Sequence, residues 1–481
     1  MNAAFRLWAA VAVTLTAAPA FTAPGPLAEV PEVAAAISVL EAWVEATRAA
    51  KEEPGLSIAI VHDQDVVWAK GYGLADVARK QAATPQTLYR IASVSKLFTA
   101  TAVLQLRDAG ALSLDDPVEK HLPWFHVRAS GAEAAPITVR HLITHTSGLP
   151  RELPLPYWND LAFPSREEMI RLLGSQAAVF APETEWKYSN IALAVAGEVV
   201  AAVARVPYED YVRTRILEPL GMRATLVHPT SATPGLAVGY RRRVPGEARE
   251  AEDFIDARAL TPAANVASSV LDLARLVSLQ FRDSPAGSAR VLKASTLREM
   301  QRPQWLKPDW QSGQGLGFWL RRVGGQLRVG HDGAAPGYRS QLDFDPSTKI
   351  GVIVLSNAYD ADPRAYVDQV FAMVGPALAK ATETPRPAPS ADPAWDRYVG
   401  TYTWKHADAQ VLVLAGELTL IVPDASNPWE SRVRLVPAGP HSFRMAGGSA
   451  NGELLRFEVD AAGRATRLFI GSTYRVRKDG R

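Results

Sequence analysis

Cysteine is absent from all 481 residues. That excludes a thiolate nucleophile, a disulfide framework and any thiolate-bound zinc or iron–sulfur centre. A charge excess of one sign is missing too: 52 Lys and Arg stand against 50 Asp and Glu, for a net charge of +2. Nucleic-acid binders carry a clear basic excess, so none is expected as a partner. Beyond the N-terminus no stretch reaches the roughly 18 uninterrupted apolar residues of a membrane helix. The best run, Ile191 to Ala204, contains Glu198. Gly-x-Ser-x-Gly does not occur, which argues against the nucleophile elbow of α/β-hydrolases, and no phosphate loop is evident. The chemistry left open rests on Ser, His, Lys, Tyr or carboxylates, with no cofactor.

What is present describes a folded chain, with 47% apolar and 21% charged residues. Arg6 precedes an apolar run, Leu7 to Ala17, and then Ala18-Pro19-Ala20. Residues 1–20 thus read as a signal peptide cleaved after Ala20, and the mature protein is expected to be secreted or periplasmic, without a membrane span. Leu56–His62 and Val66–Gly71 flank Asp63-Gln64-Asp65 as a hairpin. Helical patterns follow at Val94–Ala109, Arg166–Gly174, Ile191–Ala204, Tyr208–Ile216 and Val270–Phe281. A second hairpin is expected from Gln341–Phe344 and Ile350–Leu355. Strands at both ends with helices between predict an α+β domain over 21–380, its antiparallel sheet built from both ends of the segment. Residues 381–393, with Pro385, Pro387, Pro389 and Pro393, read as an extended linker. From 394 to 481, short β-rich runs at Val411–Leu414, Leu418–Val422, Leu454–Val459 and Arg467–Ile470 predict a small all-β barrel or sandwich, with turns at Ala415-Gly416 and Asn451-Gly452.

Three short motifs can carry chemistry. Ser93-Val94-Ser95-Lys96 has the form Ser-x-x-Lys, and residues three apart on a helix share a face. A desolvated lysine loses proton affinity and can then activate the serine beside it. Tyr188-Ser189-Asn190 precedes a helical stretch. A tyrosine near an ammonium can have a lowered pKa and shuttle protons, and an asparagine can orient a substrate amide. His331-Asp332-Gly333, taken singly, reads as a turn; its glycine lets a substrate approach the backbone, and the Ala334 N–H can serve an oxyanion hole.

Their order resembles the serine β-lactamase and penicillin-binding-protein superfamily, above all the class C β-lactamase-like branch with its D,D-peptidases, D-aminopeptidases and esterases. Leu88 to Lys96, His141 to Pro150 and Ile216 to Met222 carry the same likeness, which spans about Leu40 to Pro376. The resemblance implies a β-lactamase/transpeptidase-like fold with a mainly helical subdomain over about 113–264, and an acyl-enzyme mechanism. Ser93 would be the nucleophile, Lys96 its proton partner and Tyr188 the base and leaving-group acid. Asn190 would bind the acyl-side amide, and the Ser93 and Ala334 N–H groups would hold the oxyanion, with His331 and Gly333 completing the binding wall. His331 stands where a β-lactamase usually has Lys. A mostly neutral imidazole binds a carboxylate less dependably, so an esterase or D-amino-acid peptidase is favoured over a β-lactamase. A catalytically poor penicillin- or cell-wall-binding module is the reading from another class.

The expected partner is a small molecule or peptide with an ester or amide carbonyl; the oligomeric state is open. His141 and His145 have a metal-ligand spacing, but Leu142 stands where a zinc protease has Glu, so no metal is expected. Tyr157, Trp158, Trp186 and Trp319 are candidate cleft walls, and loops at Glu152–Ser165 and Val227–Phe254 are expected to set specificity.

Overall fold

The computed structural model describes residues 26–128, 130–131, 135–282, 291–383, 392–405, 407–414, 416–423 and 432–478. The signal-peptide assignment lies outside these residues, as do 384–391 of the proposed linker and Ala415 of the proposed turn. The chain divides into two compact units, 1–382 and 383–481.

The first unit is built on a nine-stranded antiparallel sheet. In chain order its strands are β1 (Gly55–His62), β2 (Asp65–Asp76), β3 (Gln81–Ala82), and, after a long insertion, β6 (Trp305–Leu306), β7 (Ser312–Gln314), β8 (Trp319–Val323), β9 (Gln326–Ala335), β10 (Tyr338–Asp345) and β11 (Ile350–Ser356). The insertion carries the two-stranded pair β4 (Tyr89–Arg90) and β5 (Ala267–Ser268). The sheet order β3-β2-β1-β11-β10-β9-β8-β7-β6 places the last strand, β11, against the first. Both predicted hairpins form, longer than the apolar runs alone indicated.

Strand alternation sends Leu56, Ile58 and Ile60 to one face and Ala59 and Val61 to the other. The first face is covered by the helix Pro31–Ala50, through Val33, Ile37, Leu40 and Val44, together with the helix Pro363–Met373. Those four residues repeat with the spacing of one helical face. The second face packs on the helix Val270–Gln280 and merges with the core of the helical region.

That region holds the expected helices Arg166–Leu173 and Asn190–Ala204, and before them the helix Val139–Thr144, which was not among the expected ones. The helix from Tyr208 ends at Val212 and continues as a π turn, Arg213–Leu217. Residues 223–257 are irregular, as the loop expected at Val227–Phe254 requires. Pro229, Pro234 and Pro245 each remove a backbone donor there, and the segment instead ties to the sheet end, where the Asn357 amide donates to Val238 O at 2.9 Å. Among the described residues no single helix is long and apolar enough to cross a membrane; Asn190–Ala204 is largely buried in the core.

The second unit is a closed, up-and-down barrel of eight strands, β12 (Gly400–Trp404), β13 (Ala407–Leu414), β14 (Glu417–Ile421), β15 (Val433–Gly439), β16 (Ser442–Ala446), β17 (Leu454–Val459), β18 (Ala465–Ile470) and β19 (Thr473–Arg477). Pairing of Tyr402 with Arg477 closes it, and closure leaves no open edge. Tyr402, Val411, Leu418, Phe443, Leu455 and Phe457 are among the side chains that fill its interior. At the proposed linker's ends, residues 381 and 382 finish the helix Gly375–Thr382, while Pro393 opens a 3-10 turn.

Candidate active site

Ser93 sits on a tight connection between β4 and the buried helix Lys96–Asp108. The sequence pattern places a helix from Val94, but its first turn, Ala92–Ser95, is 3-10. Ala92 has φ of +47°, a left-handed conformation that an L-residue adopts at a cost of about 1–2 kcal/mol. Such strain persists only where surrounding structure imposes it. Here it is imposed from several sides. Ser340 donates to Ile91 O at 2.9 Å, the Val266 N–H donates to Ser95 Oγ at 3.1 Å, and Tyr89 and Ser57 hydroxyls meet at 2.9 Å. Arg90, fully buried, donates to Ile255 O and, at 2.7 Å, to Asn265 Oδ1. Sequence reading did not single out Arg90 or Asn265; a charged residue beside the nucleophile gives no pattern that marks it as an interior clamp.

The first two motifs converge on Ser93. Lys96 Nζ lies 2.9 Å from Ser93 Oγ and 2.9 Å from Ala263 O. Tyr188 donates its phenol proton to Ser93 Oγ at 2.8 Å. Ser189 caps the helix Asn190–Ala204, accepting from the Ala192 N–H and donating to Pro150 O, which fixes Tyr188 immediately before the helix. Burial pulls the Lys96 amine down to about 7. Burial acts the other way on Tyr188, pushing its phenol above the ordinary value despite the hydrogen bond to Ser93. The lowered tyrosine pKa that a neighbouring ammonium can produce is therefore not found. Lys96 is the group nearer to losing its proton at neutral pH.

His331-Asp332-Gly333 is not a turn but the middle of β9, and along this stretch the strand pairs with β10. The strand lies against the turn that carries Ser93: a Cβ on Gly333 would stand 2.3 Å from Ile91 O and 2.3 Å from Ser340 Oγ. This close passage is what the glycine permits, and it brings Ala334 to the same cavity as Ser93. His331 itself is buried beside the rings of Tyr188 and Trp319. Its Nδ1–H donates to Asp332 O at 2.6 Å, its Nε2 is buried without a hydrogen-bond partner among the described residues, and burial pushes the imidazole down to about 4. It is neutral and set behind the wall, while Asp332 lines the cavity.

The cavity has a volume of about 550 Å³ and includes Ser93, Tyr188, Asn190 and Ala334 in its lining. Trp158, Trp186 and Trp319 also line it, as do Arg151 and Glu152; Tyr157 is buried behind, donating to Glu152 Oε2 at 2.5 Å. Glu152 Oε1 accepts from Asn190 Nδ2 at 2.5 Å. Sequence reading placed Glu152 only in a specificity loop. A larger cavity, about 700 Å³, lies at Gln105, Tyr211 and Lys293 and holds none of the motif residues. The two histidines spaced as metal ligands do different work. His141 Nδ1 accepts the Thr138 N–H and its Nε2 meets Glu183 at 3.2 Å, whereas His145 Nδ1 accepts the Ser189 N–H and its ring packs 4.4 Å from that of Tyr188.

Fold and site together define an α+β protein with a Ser–Lys–Tyr cluster where a helical region meets an antiparallel sheet. The Beta-lactamase family model matches residues 40–372, and the chain belongs to that family. It is 30% identical over 314 residues to Beta-lactamase-like protein 2 of Dictyostelium discoideum, covering 62% of this chain and 55% of that one. It is 28% identical over 312 residues to Protein flp of Staphylococcus aureus strain MW2, covering 63% and 59%. Putative beta-lactamase-like 1 of Homo sapiens is 26% identical over 381 residues, covering 76% and 74%. The match thus spans little more than half the length of the first two of these relatives. Among solved structures, the octameric penicillin-binding protein homologue from Pyrococcus abyssi aligns over 92% of this chain and all of that one, with a TM-score of 0.61 and 26% identity. EstCE1, a hydrolase with promiscuous acyltransferase activity, aligns over 71% of this chain and 98% of its own, with a TM-score of 0.61. At 22% identity it shares the fold.

Proposed function

We propose that the protein is a serine hydrolase that cleaves an ester or amide through an acyl-enzyme on Ser93. The observation that carries this reading is the placement of Ser93 Oγ within hydrogen-bond reach of both Lys96 Nζ and Tyr188 OH. Neutral Lys96 accepts the Ser93 proton as Oγ bonds to the substrate carbonyl carbon. The oxyanion is held by the backbone N–H groups of Ser93 and Ala334. The tetrahedral adduct collapses and the leaving group takes the Tyr188 proton, which the Lys96 ammonium replaces. Water then attacks the acyl carbon and passes its proton back through the same pair, which frees the acid and restores Ser93. A neutral, buried His331 offers no fixed cation to a β-lactam carboxylate, which favours esters or D-amino-acid peptides as substrates. The apolar run and small residues before Phe21 support export of this enzyme. Intact-protein mass spectrometry with an ester panel, D-peptides, penicillin and a fluorophosphonate tests the assignment. A mass gain on wild type, absent from Ser93→Ala together with all turnover, is expected. Near-normal turnover by Ser93→Ala overturns it.

A further inference from the structure

On the cavity wall the amide donor of Asn190 is already engaged. Glu152 is a carboxylate, so it can only accept, and Asn190 must turn its amide nitrogen toward it; that contact is 2.5 Å. The other end of the amide, Oδ1, is then left buried without a partner among the described residues. Tyr157, which takes a hydrogen bond from the Leu153 N–H, donates to the second Glu152 oxygen. Two neutral donors thus hold an anion at the cavity wall, and Asp332 lines the same cavity. Arg151 Nε approaches Glu152 at 3.4 Å, but its side chain is 65% exposed against 22% for Glu152. Solvent therefore screens the cation far more than the anion. Trp158, Trp186, Tyr188 and Trp319 add aromatic surface to the lining, and cations already lie over three of these rings: Arg151 over Tyr188 at 5.2 Å, Lys307 over Trp186 at 5.2 Å and over Trp319 at 5.5 Å.

A neutral acyl amide needs a donor for its carbonyl as well as an acceptor for its N–H. An ammonium needs acceptors alone, and gains from negative charge and ring faces. Resting on the acyl-enzyme assignment above, we propose that Glu152 makes the site selective for acyl groups bearing a free, protonated amine next to the scissile carbonyl. Substrates would be amino-acid esters or peptides with an unblocked N-terminal residue rather than N-acylated ones. Glu152 would act as the specificity residue and Asn190 as its partner.

The test compares kcat/KM for the benzyl esters of alanine (both enantiomers), N-acetylalanine and propionic acid at pH 7, in wild type and Glu152→Gln. The glutamine keeps the size and one acceptor but removes the charge. We expect the better alanine enantiomer to exceed each of the other two by at least tenfold, and Glu152→Gln to collapse that ratio to within about threefold, through KM on the amino ester. Equal rates in wild type, or a Glu152→Gln loss shared alike by all three esters, overturns the inference while leaving the hydrolase reading intact. Failure of every ester, with no fluorophosphonate adduct on Ser93, overturns both. Should Glu152→Gln not fold, titration of Ser93→Ala with alaninamide and propionamide reads the same preference. Tenfold tighter binding of alaninamide is expected, and equal binding overturns the inference.

Discussion

The two sides of Ser93 differ in how they treat charge. On one side lie Lys96, His145 and His331, each buried, and burial drives all three toward the neutral form. On the other lie Arg151, Glu152 and Asp332, which keep contact with the cavity. Ionisable side chains thus meet opposite surroundings on the two sides. Charge removed from water tunes proton transfer, whereas charge left at a cavity wall selects what enters. The difference teaches that the dry side is held by dense packing and a strained entry turn, here Ala92, while the cavity side presents Arg151 and Glu152 from a loop and Asp332 from β9. The comparison is tested first where its effect is largest.

Lys96→Arg keeps a cation but substitutes a group that stays protonated in proteins. If the dry side works by supplying a neutral amine, this exchange lowers kcat/KM on an activated ester by about a thousandfold or more. The wild-type pH profile carries the same information. An amine with a pKa of about 7 is protonated below that value and cannot accept the Ser93 proton. The rate should then rise about tenfold per pH unit up to roughly 7 and level off above it. A flat profile between about pH 5.5 and 8.5, or an active Lys96→Arg enzyme, would mean that burial is not what prepares Lys96.

How much of this contrast is legible in the sequence depends on which side is read. Ser93, Lys96 and Tyr188 stand in short fixed spacings, because a helix face and a helix start dictate where such side chains meet. The sheet's two hairpins are equally plain, since alternation and turn residues are local. Glu152 and Arg151 carry no such periodicity; only the folding of the 146–158 segment against Asn190 gives them a role. Arg90 is hidden for a similar reason, because its acceptors on Ile255 and Asn265 are distant in the chain. The strand around His331 was missed because Gly330 and Gly333 look like turn punctuation, whereas they serve close packing against β10 and the nucleophile turn. The long irregular segment 223–257 is legible as the loop Val227–Phe254, inside a region that is otherwise mainly helical, because its prolines break any helical pattern.

His331→Lys places a second ammonium behind the Tyr188 and Trp319 rings, where no carboxylate among the described residues bonds to the imidazole. A buried charge without a partner is destabilising, and Lys96 adds like-charge repulsion, since it already lowers the proton affinity of His331. The variant should lose about 2–4 kcal/mol of stability at pH 7, read as a lower denaturant midpoint at constant m-value. It should not gain affinity for a β-lactam carboxylate, because the position is behind the wall rather than on it. An unchanged midpoint would show that this pocket relaxes and admits water, and the dry side would then be no drier than the other.

The smallest effect is expected from Arg151→Ala. Its guanidinium lies over the Tyr188 ring and near Glu152, yet most of the side chain is in solvent. An exposed cation of this kind contributes roughly 0–1 kcal/mol to stability, because the water it regains on release nearly matches what the contact supplied. Denaturation of Arg151→Ala should therefore fall within about 0.5 kcal/mol of wild type, and raising the salt concentration should narrow the gap further. The backbone contact of this residue, which accepts the Asn190 N–H at 2.9 Å, is retained by alanine, so any loss would report on the side chain alone. A cost near that of His331→Lys would place Arg151 among the groups that hold the nucleophile, and the boundary between the two sides would have to move outward to include it.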